Sequence, residues 1–225
     1  MNWIYALAPN LEQLWPELLE SIQQTAIMVS ISGVIAWFLG IATGVVLVTT
    51  RRGGILENRW VFNVIDRLID IVRSIPFIIL IVLLIPVSRF VLGTGSGVNG
   101  SFVALICGTT PFFARQVEQV LSEVDAGLVE ASAAMGYSPF EIIKDVYLRE
   151  SIPGITRVTM ITFVSLMSVT AIAGAIGAGG IGDFAIRYGY QMHYTDMIWL
   201  CVIIILATIS IFQLIGNWII RRATH

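Results

Sequence analysis

Charged residues are scarce in this sequence. Asp, Glu, Lys and Arg make up 12% of the 225 residues, and Lys144 is the only lysine. Soluble domains carry about 25% charged residues, whereas 56% of the residues here are hydrophobic and the mean hydropathy is +0.85. The net charge of -2 offers no broad basic surface to nucleic acid. The composition therefore predicts an integral membrane protein and no nucleic-acid partner.

Reactive and metal-binding residues are also few. Cys107 and Cys201 are isolated in apolar segments, so they form neither a disulfide framework nor a metal-ligand spacing, and we expect both to be buried small hydrophobes. His193 lies in a polar, aromatic segment and His225 is the last residue, which favours solvated side chains over ligands. No nucleophile–base pair or carboxylate dyad is arranged for catalysis. The sequence thus predicts no metal site and no catalytic residues.

A nucleotide-binding motif is missing as well. No Gly-x-x-x-x-Gly-Lys-Ser/Thr sequence occurs, so the chain lacks the usual cradle for ATP. Gly177, Gly179 and Gly182 match the spacing of the dinucleotide fingerprint, but that fingerprint requires a preceding strand and a following helix. Here the glycines close an apolar segment, which favours a close-packed or flexible helix end. We therefore predict that the chain is not itself an ATPase.

Long uncharged runs are the main feature that is present. Residues 21–50, 158–182 and 197–220 contain no charged residue, and each is long enough for the roughly 20 residues of a spanning helix. Gly40 and Gly44 form a small-residue pair suited to close helix packing. We predict five spanning helices, at residues 24–50, 66–90, 101–121, 154–177 and 197–220.

The second and third predicted spans are interrupted. Residues 74–88 contain two prolines and reach spanning length only by including residues 64–73, whose charges must then face protein or extend to the interface. Pro111 lies in the middle of the third span. Because interrupted segments survive in a bilayer only against protein or along a water-filled path, we expect these segments to line a pathway.

The ends of the chain suggest an orientation. Residues 1–20 include Trp3 and Trp15, and tryptophan favours the membrane interface. We predict an extracytoplasmic interfacial segment here, and no cleaved signal peptide, because no basic region precedes residue 21. With the N-terminus outside, all of the 13 Lys and Arg residues except Arg89 and Arg187 face the cytoplasm, as the positive-inside rule requires.

Residues 130–136, with the sequence Glu-Ala-Ser-Ala-Ala-Met-Gly, form a polar interruption between apolar segments. We predict a short helix over residues 124–135 that ends at Gly136, since glycine adopts the left-handed conformation at no steric cost. Ser138 and Glu141 then form a capping box that begins a second helix. The small side chains of the first helix would allow another surface to approach closely. The alternative is an ordinary solvent loop between two spans.

This sequence, followed by Val146-x-Leu148 and by Pro153-Gly154, resembles the cytoplasmic coupling loop of ABC-importer permeases. In that family the loop docks into a groove on a separate ATPase subunit. Arg149 stands where the family usually has proline, so Pro153 is the alternative source of the local bend. The resemblance implies a coupling loop over residues 122–150, with contacts to the ATPase from Glu130, Ala131, Ser132, Ala134, Met135 and Gly136.

Other segments resemble the methionine-uptake permeases of bacterial ABC importers: residues 73–80, Ile85-Pro86, residues 174–182 and Tyr188-Gly189-Tyr190. The likeness covers roughly residues 20–222. It implies an all-α membrane protein with the type I ABC importer permease fold, which has five transmembrane helices per subunit and a cytoplasmic coupling helix. The transmembrane domain would be residues 21–213, and residues 214–225 would be the end of the last helix and a cytoplasmic tail.

The same resemblance implies a function and partners. The chain would be the permease subunit of an ATP-driven methionine importer in the bacterial inner membrane, moving L-methionine and, as an open question, D-methionine by alternating access. A homodimer would assemble with two cytoplasmic ATPase subunits, which hold ATP and Mg, and with an extracytoplasmic methionine-binding protein. We expect no cofactor on this chain itself. The expected pathway residues are Pro76, Ser165, Ser168 and Ile172. The expected contacts with the binding protein are Gly95, Tyr188 and Tyr190.

Two alternatives stay open. An importer permease for another small solute would work by the same mechanics. An ion-coupled carrier or channel would need intramembrane acids as a relay, and the three long uncharged runs provide none.

Overall fold

The computed structural model describes residues 10–223, which are almost entirely helical. Wider, π-helical turns at Ile142–Leu148, Gly174–Ala178 and Ala185–Gln191 follow three of the helices. The helices are α1 Leu11–Thr50, α2 Arg59–Ser74, α3 Phe77–Leu92, α4 Gly97–Ser122, α5 Ala126–Ala134, α6 Pro139–Glu141, α7 Ile152–Ala173, α8 Gly180–Phe184 and α9 Thr195–Ala223.

Four of these helical stretches are long and apolar enough to cross a membrane. They are α1, α4, α7 with its continuation to Ala178, and α9. The helices α2 and α3 meet the same criterion only as a pair, and the pair is bent by 111°. The described residues therefore provide four spans, or five if the bent pair is counted as one, and the predicted all-α membrane class is confirmed.

The bent pair differs from the single, proline-interrupted span that we expected over residues 66–90. Ile75 adopts an extended conformation, with φ -87° and ψ 122°, and Pro76 caps α3. A residue before proline is pushed out of the helical region by the proline ring, so the helix ends at Ser74. The charged residues that we expected inside a continuous span lie instead on the separate helix α2.

The structure describes part of the predicted N-terminal interfacial segment. Residues 11–20 are the first turns of α1, which continues to Thr50, and Pro16 lies inside the helix without ending it. Trp3 and His225 lie outside the described residues.

The described residues form two compact units. The first contains residues 10–34, 76–107 and 163–212. Its larger core joins Met28, Leu105 and Leu166, among others, and Phe163 stacks on Phe212 with ring centroids 3.8 Å apart. A second core contains Phe184, Met197 and Cys201, among others. Cys201 is therefore the small buried residue that we predicted, but Cys107 is exposed, on a face of α4 that its own unit leaves uncovered.

The second unit contains residues 35–75, 108–162 and 213–223. Its larger core brings together one face of α4, with Phe113, Val117 and Leu121, the wider turn Ile142–Leu148 and the start of α7. A Cβ added to Gly40 would lie 2.5 Å from Phe113 Cδ1, and one added to Gly44 would lie 2.7 Å from Val117 Cγ1. The two glycines thus allow α1 and α4 to pack closely, as the small-residue pair predicted.

A polar cluster joins α2 to α4 in this unit. Arg115 Nη2 lies 2.7 Å from Asp66 Oδ1 and 3.0 Å from Asp70 Oδ1, and its Nη1 lies 2.8 Å from Glu118 Oε2. One guanidinium therefore serves three carboxylates. Asp66 and Asp70 are four residues apart on α2, and Arg115 and Glu118 are three apart on α4, so the sequence shows each pair on one side of its helix. Nothing local to either pair predicts that the two pairs meet.

Candidate functional site

The predicted coupling segment folds as two short helices joined by a glycine corner. α5 begins after Asp125, whose side chain accepts a hydrogen bond from the Gly127 N–H at 2.7 Å. Asp and Asn at this position satisfy donors that a helix start leaves unpaired. The helix thus begins at Ala126, two residues later than expected from the sequence and directly after the residue that caps it.

Gly136 turns the chain, as predicted. Its φ is +89°, and a Cβ at this position would meet nothing within 4 Å. The Gly136 N–H donates to Ala133 O at 3.0 Å and the Tyr137 N–H donates to Ser132 O at 3.1 Å, which satisfies carbonyls at the helix end. The corner needs glycine for its backbone conformation and not because space is short.

The second helix is fixed by the predicted capping box. The Ser138 N–H donates to Glu141 Oε2 at 2.7 Å, and the Glu141 N–H donates to Ser138 Oγ at 3.4 Å. Hydrogen bonds from the Ser138 side chain and then its backbone hold the pKa of Glu141 below its usual range. The helix continues as a wider turn over Ile142–Leu148, whose Val146 and Tyr147 are buried. The exposed corner is therefore followed directly by a turn whose side chains are packed into the core.

The structure exposes most of the expected contact residues. Glu130, Ala131, Ala134, Met135 and Gly136 are exposed. Ser132 is instead buried, and its hydroxyl donates to Leu128 O at 2.8 Å. Its side chain therefore faces the protein and lies away from the exposed side of α5.

Sequence reasoning missed two members of this surface. Phe140 is 73% exposed, close to the 69% of Met135, and Tyr137 is also exposed. Met135, Tyr137 and Phe140 make the exposed surface of the corner largely apolar, and Glu130 adds a negative charge beside it. A large aromatic side chain in a segment of mainly small and polar residues was the signal for Phe140. We call Glu130, Met135, Gly136, Tyr137 and Phe140 the corner surface.

Arg149 keeps a helical conformation, with φ -69° and ψ -46°. The chain then turns at Ser151, and α7 begins at Ile152 with Pro153 in its first turn. The one-residue turn therefore lies after Arg149, at Ser151, and Pro153 is tolerated just beyond it because an N–H in the first turn of a helix has no helical partner.

Three of the expected pathway residues share one side of α7. Ser165, Ser168 and Ile172 follow at helical spacing. Ser165 is half-buried, while Ser168 and Ile172 are exposed, and the Ser168 hydroxyl donates to Val164 O at 3.1 Å. Pro76 is exposed on another element, directly before α3. This side of α7 thus presents two serines and one isoleucine in line, and Pro76 lies on a different element.

The three residues expected to contact a binding protein have different surroundings. Tyr190 is exposed. Tyr188 is half-buried, with its ring 4.9 Å from that of Phe184. Gly95 lies against α3, because a Cβ there would be 2.8 Å from Ile85 Cγ2. Of the three, Tyr190 presents the most side chain to an outside surface.

The glycine run after α7 is a close-packed helix end. A Cβ on Gly174 would lie 2.7 Å from the Asp183 nitrogen. The Gly180 N–H donates to Gln24 Oε1 at 2.7 Å and the Ile181 N–H donates to Thr25 Oγ1 at 2.8 Å. These contacts tie the run to α1 and agree with the structural interpretation of the glycines over the dinucleotide one.

The chain matches the family model for the binding-protein-dependent transport system inner membrane component over residues 38–225. It is 41% identical over 208 residues to the probable D-methionine transport system permease protein MetI of Vibrio cholerae serotype O1, covering 92% of each chain. The corresponding protein of Haemophilus influenzae is 33% identical over 212 residues, covering 94% of this chain and all of the relative.

Solved structures show the same similarity to ABC transporter chains. A chain from inward-facing conformations of the MetNI methionine ABC transporter superimposes with a TM-score of 0.91 at 36% identity, covering 95% of this chain and 99% of that one. A chain of an amino acid ABC transporter crystallised with histidines gives a TM-score of 0.76 at 16% identity, which supports the fold alone. These similarities define the class as the membrane permease of an ABC transporter.

The chain belongs to the family of binding-protein-dependent transport system inner membrane components. It is accordingly a multi-pass protein of a bacterial inner membrane.

Proposed function

We propose that the chain is the permease subunit of an ATP-driven methionine importer and works as a homodimer by alternating access. The observation that carries the proposal is the corner surface. Its residues are exposed, the glycine turn and the capping box fix its conformation, and the turn that follows is buried in the core. The substrate class is supported by the relatives, whose names specify D-methionine transport. L-methionine is proposed as a further substrate.

The partners follow from this role. A pair of cytoplasmic ATPase subunits would hold ATP and Mg and carry out hydrolysis, leaving the chain without catalytic residues or cofactor of its own. An extracytoplasmic methionine-binding protein would deliver the solute at the side of the membrane on which Tyr190 lies. The positive-inside pattern supports an N-terminus outside and a cytoplasmic corner surface.

Within such a complex the corner surface would transmit force. Met135 and Phe140 supply apolar area for a groove on the ATPase, and Glu130 would fix its orientation through charge. A capped helix is stiff enough to move as a body with the buried turn behind it. ATP binding can shift the permease between two states only as far as the docked ATPase prefers one of them.

The coupling role is tested in proteoliposomes that contain the permease, its ATPase and the binding protein. We expect Glu130→Lys and Gly136→Val to lower methionine uptake per ATP hydrolysed by about tenfold, as expected for a reversed charge or a displaced contact in an interface. Glu17→Lys is the matched control, because Glu17 is also exposed but lies on α1, outside the predicted coupling loop of residues 122–150. Uptake at the normal ratio in both corner variants would refute the role.

The substrate is tested separately, by uptake of labelled methionine in cells with and without this chain. Uptake that requires the chain and is blocked by unlabelled methionine, but not by leucine or histidine, is the expected result. Dependence on the chain for a different solute would favour the alternative importer. Transport that continues without any ATPase would favour a carrier or channel.

A further inference from the structure

The helix α2 has one broad apolar face, and the protein covers only part of it. Ile69 is buried, and with its partly buried neighbours Phe62 and Ile65 it packs against Leu47 and Ala114. A second set of apolar residues follows at helical spacing along the rest of this face and is exposed, with Trp60 at 75%. We call this set the α2 stripe; its members are Trp60, Val64, Leu68 and Ile71.

An arginine lies at the edge of the α2 stripe, next to the polar side of the helix. Arg67 is three residues after Val64 and four before Ile71, so it shares their side of the helix. It is exposed, and it makes no ion pair with any residue of the described range 10–223. The stripe therefore combines apolar area with one uncompensated positive charge.

The polar cluster around Arg115 keeps that charge uncompensated. Asp70 is three residues after Arg67, a spacing at which the two side chains could pair along the helix, but its carboxylate lies 3.0 Å from Arg115 Nη2. The carboxylate of Asp66, next in sequence, lies 2.7 Å from the same nitrogen. Both acids of α2 are thus directed to α4, and the guanidinium of Arg67 is left to an anion from outside the chain.

The chemistry of this surface fits a lipid better than a protein. Tryptophan prefers the membrane interface, and an apolar stripe beside a polar face is typical of helices that lie there. An arginine in such a stripe can lay its methylene groups along the apolar surface and direct its guanidinium to a phosphate, which it binds through two parallel hydrogen bonds. A protein partner covering the stripe would have to bury Arg67, which is costly without an acid to pair with it.

We propose that α2 is an interfacial helix that binds an anionic phospholipid, with the α2 stripe at the boundary of the acyl chains and Arg67 on the headgroup phosphate. This role goes beyond transport of any particular solute. It adds to the permease a dependence on the lipid composition of the surrounding membrane.

The first test measures lipid retention. The permease–ATPase complex is purified in detergent and titrated with phosphatidylglycerol, and bound lipid is counted by native mass spectrometry. We expect Arg67→Gln to weaken binding about fivefold, from roughly 1 kcal/mol for each basic residue at an anionic surface. Arg73→Gln is the matched control, because Arg73 is an exposed arginine of the same helix but follows Ile69 by four residues, on the packed side. Equal losses in both variants, or no loss in Arg67→Gln, would overturn the proposal.

The second test locates the helix. Leu68→Cys and Asn63→Cys, each in a Cys107→Ser background, are labelled with bimane and placed in bilayers whose acyl chains carry bromine. Leu68 lies in the stripe, whereas Asn63 is exposed on the polar side, so we expect quenching at Leu68 and much less at Asn63. If a second permease or an ATPase covers the stripe, the label at Leu68 will escape quenching and respond to that partner, and the lipid proposal is then wrong.

Discussion

The cluster around Arg115 offers a quantitative test of how α2 is held. Replacing Arg115 with methionine keeps most of the side-chain volume but removes the guanidinium. The carboxylates of Asp66, Asp70 and Glu118 then lose the partner that lies 2.7–3.0 Å away. We expect the free energy of unfolding to fall because three negative charges remain close together with no cation among them.

The size of the expected loss in the free energy of unfolding follows from how exposed each carboxylate side chain is. The side chains of Glu118 and Asp66 are only 15% and 29% exposed, whereas that of Asp70 is 58% exposed. A hydrogen bond to a charged group contributes roughly 1.5–3 kcal/mol when shielded, and an exposed ion pair contributes roughly 0–1 kcal/mol. Allowing about 1 kcal/mol each for the two shielded pairs, and less for Asp70, we expect Arg115→Met to cost about 2–3 kcal/mol.

The free energy of unfolding can be measured by titrating the purified chain with sodium dodecyl sulfate in mixed micelles. Asp66→Asn should cost more than Asp70→Asn, and the double variant Arg115→Met/Asp66→Asn should cost less than the sum of the two. Arg157→Met is the control, since Arg157 is exposed and outside the cluster, and its effect should stay within roughly 0.5 kcal/mol. Equal costs for Asp66→Asn and Asp70→Asn, or a negligible cost for Arg115→Met, would refute the reasoning.

Two further predictions concern packing and pH. Gly44→Val should destabilise the chain by about 1–3 kcal/mol through overpacking against Val117, whereas Ala42→Val on the exposed side of α1 should not; similar melting temperatures for the two variants would contradict the close packing of α1 and α4. The capping box at Ser138 and Glu141 should be fully formed above the ordinary Glu pKa of 4.5 and be lost as the pH falls through the lower pKa of the folded state. Hydrogen-exchange protection of the corner, corrected for the intrinsic rate, should therefore decrease between neutral pH and about pH 3; Ser138→Ala should remove that dependence, and unchanged protection in the parent chain would argue against it.

The coupling corner shows how much local sequence rules can predict. Gly136, Ser138 and Glu141 lie within six residues of one another, and helix ends and capping boxes are fixed by hydrogen bonds over that distance. The structure confirms each of these roles. The burial of Ser132 and the exposure of Phe140 were not accessible in the same way, because they depend on which other elements pack against the corner.

The region from α2 to α3 shows where such rules stop. The proline at residue 76 predicted a break, and the structure confirms it. Hydropathy alone still favoured one span over residues 66–90, because an amphipathic helix next to an apolar one has the average composition of a single interrupted segment. Only the packing of Ile69 and the ion pairs of Asp66 and Asp70 with Arg115 show that α2 is a separate element held against α4.

The sequence by itself determined the membrane class, the long uncharged helices, the glycine corner and the family, because composition and spacing along the chain are sufficient for each. The tertiary structure decided which sides of those helices remain open: Cys107 exposed, Ser132 buried, and the α2 stripe uncovered with Arg67 unpaired. These outcomes depend on contacts between residues far apart in the chain, such as those 49 and 45 positions apart that join Arg115 to Asp66 and Asp70. A pattern within one helix specifies that a side chain is apolar or charged, but the neighbouring helices decide what that side chain meets.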